Sequence, residues 1–169
     1  MIKKLPVTGQ NFGHFAIIRT LGKGGMGVVY EAQDLDSGRQ VALKVLSQAL
    51  ESPKARKRFF HEGQLAASIN HPNCVYIFGT EEIDGISVIS MELASGGTLQ
   101  EMVKERGPLP APKAVDAILQ VIAGLEAAAS VGVLHRDVKP ANCFVSADGT
   151  IKVGDFGFPS RRPLETRPI

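Results

Sequence analysis

The 169-residue sequence predicts an α+β fold in two lobes, the first strand-rich and the second helical. Three observations carry that reading. Apolar, β-rich runs broken by glycine fill the first half, apolar residues at helical spacing take over after Leu93, and no internal repeat divides the chain. A chain of 18.1 kDa folds to about 8,000 Å² of surface from about 26,000 Å² unfolded, so about 70% can be buried. That is enough for two small lobes sharing a core.

Residues 15–21 form the first strand, followed by Gly22-Lys23-Gly24-Gly25-Met26-Gly27 and then a strand over residues 28–32. Asp36-Ser37-Gly38 makes a turn into another strand at residues 40–46. Residues 54–69 read as helix, with Phe59, Ala66 and Ile69 on one stripe. Two more strands, residues 74–82 and 86–93, meet at a turn on Asp84-Gly85. Thr98-Leu99-Gln100-Glu101 then has the capping-box form, in which hydroxyl and carboxylate satisfy the free amides of a helix start. A longer helix begins near Pro112, a first-turn position that tolerates proline, and runs to about Val131. Its stripe is Val115, Ile118, Leu119, Ile122 and Leu125. Short apolar pieces at residues 133–134, 143–145 and 151–153 bracket polar loops, and the lobes change over at residues 94–98. Residues 158–169, rich in proline and arginine, read as an irregular tail.

Composition excludes several classes of function. With 44% hydrophobic residues the chain is not disordered, and two cysteines make no disulfide scaffold. A net charge of +2 is too balanced for nucleic acid or an anionic membrane to be the main partner. No membrane segment is expected, since no run approaches about 18 apolar residues. MIKKLPVTGQ has no apolar stretch behind its lysines and so does not read as a signal peptide. Cys74 and Cys143 are expected as two reduced, partly buried thiols, which fits a cytoplasmic location.

The chemistry concentrates in four places. Gly22-x-Gly24-x-x-Gly27 lies between strands, whereas a dinucleotide site needs a helix directly after its glycines. Such a loop lets backbone amides close over phosphates without Cβ interference. No Gly-Lys-Ser/Thr follows, which excludes a Walker loop. Lys44 ends the apolar strand Val41-Ala42-Leu43, and Glu62 sits between Phe59 and Ala66 on a helical stripe where an unpaired carboxylate is costly. Lys44 is its natural counter-ion. Finally, His135-Arg136-Asp137-Val138-Lys139-Pro140-Ala141-Asn142 precedes Asp155-Phe156-Gly157 across a hairpin turning at Asp148-Gly149. Asp137 can accept a hydroxyl proton, while Asn142 and Asp155 are hard oxygen ligands suited to Mg²⁺.

With these residues in this order, the sequence resembles a eukaryotic-type protein kinase of the bacterial Ser/Thr branch over residues 12–157. The resemblance implies a kinase-like two-lobe fold. Its N-lobe, about residues 12–93, is an antiparallel sheet with one main helix, and a partial helical C-lobe covers about residues 94–157. It implies that the Gly22–Gly27 loop, with Gly22, Gly24 and Gly27, covers the phosphates of ATP, that Val29 and Ala42 sandwich adenine, and that Leu21 is a further cofactor-binding residue. Backbone groups near Glu92 and Ala94 would bind adenine in the hinge, and Met91 would gate the pocket behind it. Lys44 would contact phosphates and pair with Glu62, Asp137 would orient the substrate hydroxyl, and Lys139 would steady the γ-phosphate. Asn142 and Asp155 would bind Mg²⁺. His135 and Phe156 would pack in an internal apolar column. Lys139, two places after Asp137, resembles the Ser/Thr rather than the tyrosine branch, so a protein substrate bearing Ser or Thr is expected.

Kinases continue beyond the Asp-Phe-Gly motif through an Ala-Pro-Glu motif and roughly 90 or more further residues. Phe158-Pro159 also departs from the aliphatic and small residues usual after Gly157. The expectation is a truncated reading, with an exposed apolar face on the helix that starts near Pro112. Such a face favours a partner or self-association. Two other functions stand beside the kinase reading: a nucleotide-binding or partner-docking remnant without turnover, and a small-molecule kinase of related fold.

Overall fold

The structure, a computed structural model, describes residues 5–24, 27–46 and 52–156. The glycine-loop apex Gly25-Met26, Gly157 and the expected tail at 158–169 lie outside the described residues.

Six antiparallel strands form the first lobe: β1 (Asn11–Phe12), β2 (Phe15–Gly24), β3 (Gly27–Asp34), β4 (Gln40–Leu46), β5 (Ile77–Ile83) and β6 (Ile86–Glu92). Their order in the sheet is β1-β2-β3-β4-β6-β5. The sheet curls, so Phe12, Phe15 and Ile17 from one edge share a core with Ile83 and Ile86 from the other, closed by Tyr30, Leu43 and Val88. β2 is buried only at its start and runs out exposed from Ile18 to Gly24, so Gly22 and Gly24 lie outside the packed core. The Asp84-Gly85 turn joins β5 and β6 with both residues at positive φ, 50° and 74°, as a two-residue hairpin turn requires.

Helix α1 (Pro53–Ala67) starts where Ser52 accepts a hydrogen bond from the Ala55 amide and proline takes the first turn. It buries Phe59, Gly63 and Ala66. Phe59 and Ala66 belong to a second core that crosses between the lobes. Phe59 and Ile89 meet Cys74, Ala128, Val153 and Phe156 there. Each fully buried Phe or Ile contributes about 1.5–3 kcal/mol of transfer free energy, so this cluster welds the lobes together.

The second lobe contains α2 (Leu99–Arg106), α3 (Ala111–Ser130), a 3₁₀ turn at Pro140–Asn142, and the hairpin β7 (Cys143–Val145) and β8 (Ile151–Val153). The capping box forms as expected: the Glu101 amide donates to Thr98 Oγ1 at 3.1 Å, and the Thr98 amide donates to Glu101 Oε2 at 2.8 Å. Helix α3 buries its small residues Ala117, Gly124 and Ala128. Four members of its apolar stripe face outward, with Val115 57%, Ile118 58%, Leu119 60% and Ile122 43% exposed. The expected exposed apolar face is present. No helix among the described residues is long and apolar enough to cross a membrane.

The strand expected from Cys74 starts instead at Ile77, because the preceding residues bond to the other lobe. The Val75 amide donates to the Val153 carbonyl at 2.8 Å, and the Val153 amide to the Asn73 carbonyl at 2.8 Å. The Asn73 side chain adds a bond to the Ile151 carbonyl at 2.9 Å. The link between α1 and β5 is therefore clamped to β8. The short β1 and the 3₁₀ turn had no sequence expectation, and residues 133–134 form no strand.

Candidate active site

The fold brings β4, the catalytic-type loop at 135–142 and the segment after β8 to one cleft between the lobes. Lys44 lies on β4 opposite Ile89 of β6 and is only 5% exposed. A buried ammonium needs a counter-charge. Asp155 supplies it, with its Oδ1 2.6 Å from Lys44 Nζ.

This corrects the expected Lys44–Glu62 pair. Glu62 Oε1 accepts instead from Arg58 Nε at 2.8 Å, one helical turn earlier, and Glu62 Oε2 is buried without a hydrogen-bond partner. The physical reason is local. Arg58 lies at i,i+4 spacing from Glu62, while Asp155 adopts φ +60°, a left-handed conformation rare for a residue with a side chain. Phe156 anchors that conformation by burying its ring to 2% exposure.

The loop bearing Asp137 is tied to the same anchor. His135 Nε2 donates to the Gly154 carbonyl at 2.6 Å, and the Asp137 amide donates to His135 Nδ1 at 3.2 Å. These two bonds assign the proton to Nε2. The His135 and Phe156 rings meet edge to face at 5.0 Å, as the apolar-column expectation requires. Arg136 between them takes φ +65°. Left-handed, non-glycine residues in two neighbouring loops of the second lobe, Arg136 and Asp155, store strain where the surrounding packing over-determines them.

Asp137, Lys139 and Asn142 form a compact constellation. Asn142 Nδ2 donates to the Asp137 carbonyl at 2.9 Å and to its Oδ2 at 3.2 Å. Lys139 Nζ lies 2.7 Å from Asp137 Oδ2. The hydrogen bond from Lys139 leads the causes that hold the Asp137 carboxyl below the usual carboxylate range, against the opposing effect of desolvation. Asp137 is therefore an ionised acceptor at neutral pH.

The residues fit a metal–nucleotide ligand. Asn142 uses its amide nitrogen within the protein, and its Oδ1 accepts from none of the described residues. Asp155 spends one carboxylate oxygen on Lys44 and keeps the other, so the donor set is hard oxygen throughout, as Mg²⁺ prefers. A Cβ added at Gly22 or Gly24 would meet nothing within 4 Å, so the fold itself does not demand these glycines. Gly27 differs, since a Cβ there would lie 2.1 Å from the Val45 carbonyl oxygen, and the close approach of β3 to β4 requires it.

Val29 on β3 is half-buried and Ala42 on β4 buried, while Leu21 on β2 is exposed. The Glu92 amide donates to the Tyr76 carbonyl at 2.8 Å. Its side chain pairs with Lys152 Nζ at 3.1 Å. The Ala94 amide has no acceptor among the described residues and is available to a ligand. Met91 packs against the inter-lobe core.

Residues 15–166 match the family described as Protein kinase domain. The chain belongs to that family. Among curated relatives of this kinase domain, serine/threonine-protein kinase PknE of Mycobacterium bovis is 42% identical over 153 residues, covering 90% of this chain and 27% of PknE. PknD of Mycobacterium tuberculosis is 39% identical over 158 residues, covering 93% of this chain and 24% of PknD. The chain thus spans about a quarter of the length of these relatives. Among solved structures, the Mycobacterium tuberculosis PknI kinase domain C20A_R136N double mutant superposes with a TM-score of 0.84 at 32% identity, over 93% of this chain and 66% of that one. The kinase-like two-lobe fold expected from the sequence is the fold observed.

Three participants in this kinase domain escaped sequence reasoning. The Gly154 carbonyl orients His135 through its backbone, and a backbone acceptor leaves no mark in residue type. Lys152 bonds Glu92 across the lobes, but between Ile151 and Val153 on a short hairpin it reads as an outward, solvated lysine. Arg58 had a visible signal, its i,i+4 spacing to Glu62, but Glu62 was assigned to Lys44 alone.

Proposed function

We propose that the chain is the ATP-binding and catalytic region of a protein serine/threonine kinase, transferring the γ-phosphoryl group of ATP to Ser or Thr hydroxyls of protein substrates with Mg²⁺. The observation that carries this is the convergence of Lys44, Asp137, Asn142 and Asp155 on one cleft, beside two glycines of β2, Gly22 and Gly24, that the fold does not itself require. In this reading Leu21, Val29 and Ala42 enclose the adenine, and the backbone at Glu92 and Ala94 binds its edge. Lys44 meets the phosphates and Lys139 steadies the γ-phosphate. Asp137, ionised and held by Lys139 and Asn142, orients the acceptor hydroxyl and takes its proton. Asn142 and Asp155 would hold Mg²⁺, which when bound neutralises charge developing on the transferred group. A cytoplasmic location, where ATP is supplied, accompanies this reading. Self-association would use the exposed α3 stripe, and sedimentation over a range of concentrations tests it.

The pairing of Lys44 with Asp155 rather than Glu62 favours a second reading, nucleotide binding without turnover. One experiment separates the two. The chain is melted with and without Mg·ATP, then incubated with labelled ATP and a generic basic protein, beside Lys44→Met and Asp137→Asn. Ligand at about 100 times its Kd adds about 2.7 kcal/mol. A raised melting temperature with Ser/Thr labelling lost in both variants supports the kinase. A raised temperature without labelling supports the binding remnant, and no shift removes both.

A further inference from the structure

A cavity in the second lobe lies between α2, α3 and the β7–β8 hairpin, with a volume of about 440 Å³. That is within the range of small-molecule sites. None of its lining residues is among those assigned to nucleotide, metal or proton transfer. Its floor is apolar. Ala117, Val145 and Ile151 are buried in one cluster, which Leu99 and Met102 of α2 complete, and all five line the cavity. A further wall is the α2–α3 linker, Gly107-Pro108-Leu109-Pro110. Gly107 turns that linker at φ +81°, and its two prolines fix the backbone that follows. The cavity is therefore shaped before any ligand arrives.

Charge separates this cavity from a mere gap in the packing. Arg106 of α2 and Lys113 of α3 both line it and are both exposed. Neither has an ion pair or a side-chain hydrogen bond among the described residues. Arg106 lies in the last turn of α2, where the helix dipole favours a cation, but Lys113 lies in the first turn of α3, where the dipole opposes one. Lys113 is thus not there to serve its helix. The carboxylate on the wall, Asp116, pairs with neither cation and accepts instead from Gln120 Nε2 at 2.8 Å. Gln120 Oε1 is in turn taken by the Ile151 amide at 2.8 Å and the Asn73 side chain at 3.1 Å.

We propose that this cavity binds a small carboxylate with an apolar body, the body resting on Ala117, Val145 and Ile151 and the carboxylate meeting Arg106 and Lys113. Both side chains are donors only, and the guanidinium fork matches the two oxygens of a carboxylate. A neutral apolar molecule would leave the two cations without a partner, and a bare anion would leave the floor wet. The size of the cavity suits a small molecule rather than a folded partner, whose interface needs roughly 800 Å² on each side.

The test is methyl NMR of the intact chain titrated with sodium octanoate, octanamide and sodium acetate. It is repeated with octanoate on Lys113→Gln, Arg106→Gln and the double variant, whose spectra first confirm that each is folded. Octanoate is expected to shift the Leu99, Met102 and Ile151 methyls saturably. Octanamide, which keeps the body and lacks the charge, should bind roughly ten-fold more weakly, and acetate should shift nothing, having lost the buried methylenes. Each single variant should weaken octanoate about two- to five-fold, and the double variant by about the product. The octanamide and acetate arms use the wild type alone, so the proposal stays exposed even if a variant does not fold. Octanoate shifts confined to the Ile118, Leu119 and Ile122 methyls would place it on the exposed α3 stripe and overturn the proposal. Octanamide binding as tightly as octanoate, unchanged affinity in the double variant, or no octanoate shift at all would also overturn it. Each of these results leaves the nucleotide reading standing, because the two sites share no residue.

Discussion

Replacing His135 by alanine is the sharpest probe of how the cleft is built. The ring is 6% exposed and joins three things: the Gly154 carbonyl before Asp155, the Asp137 amide in the catalytic-type loop, and the Phe156 ring. Its removal orphans the buried Gly154 carbonyl, at about 1–3 kcal/mol. It also forfeits an edge-to-face contact worth about 0.5–1.5 kcal/mol. The vacated space costs about 2 kcal/mol more if the core relaxes only in part. The Asp137 amide belongs to an exposed residue and can turn to water, so it adds little. The expected loss is about 4 kcal/mol, a large share of the roughly 5–15 kcal/mol typical of a domain. Urea unfolding followed by circular dichroism measures it as a lowered midpoint at unchanged slope. His135→Phe keeps the ring volume but neither hydrogen bond, and should lose about half as much. A loss below about 1 kcal/mol for His135→Ala would refute the claim that this side chain couples the two loops.

Three further outcomes are expected. In Gly124→Ala the new Cβ would lie 2.4 Å from the Asn73 carbonyl oxygen, so α3 must move off the clamp between α1 and β5. Strain of about 1–3 kcal/mol outweighs the roughly 1 kcal/mol gained in helix propensity, and a melting temperature equal to or above wild type would contradict it. Burial pushes the Cys74 thiol up to about 11 and also raises Cys143. Both should resist a disulfide reagent at pH 7.5 until denaturant is added, and immediate reaction of the folded chain would show them to be accessible. Because Lys139 leads the lowering of Asp137's pKa, the folded value lies below the unfolded one. Asp137 therefore stabilises the fold above the ordinary carboxylate range, and that contribution is lost as pH falls toward and through the folded value. Carboxyl ¹³C NMR should place the Asp137 titration higher in Lys139→Met, and an unchanged titration would reassign the cause.

The elements that could be read from the sequence are those whose causes are local. Strand β4 begins and ends where the apolar run at 40–46 predicts, because a turn precedes it and alternate residues need no distant partner to be strand formers. The capping box at Thr98 and Glu101 is likewise a four-residue matter. The strand start at Cys74 was misplaced because Asn73 and Val75 spend their backbone and side-chain groups on β8, with Asn73 and Ile151 78 residues apart. No window on the chain contains that competition.

The site divides in the same way. Residue types and spacing picked out Lys44, Glu62, Asp137, Asn142 and Asp155, since buried charge demands partners whatever the geometry. Which partner each one takes is a different question. Lys44 bonds an aspartate 111 residues away rather than the glutamate on the neighbouring helix, and that glutamate turns to an arginine four residues before it. Charge neutrality is satisfied by either distribution, so composition and pattern cannot choose between them. The choice follows from the left-handed backbone at Asp155, held by the burial of Phe156 and by the bond from His135 to Gly154. The loop after β8 therefore sets the ion pairing of Lys44 on β4. A perturbation there should re-pair Lys44 without touching it.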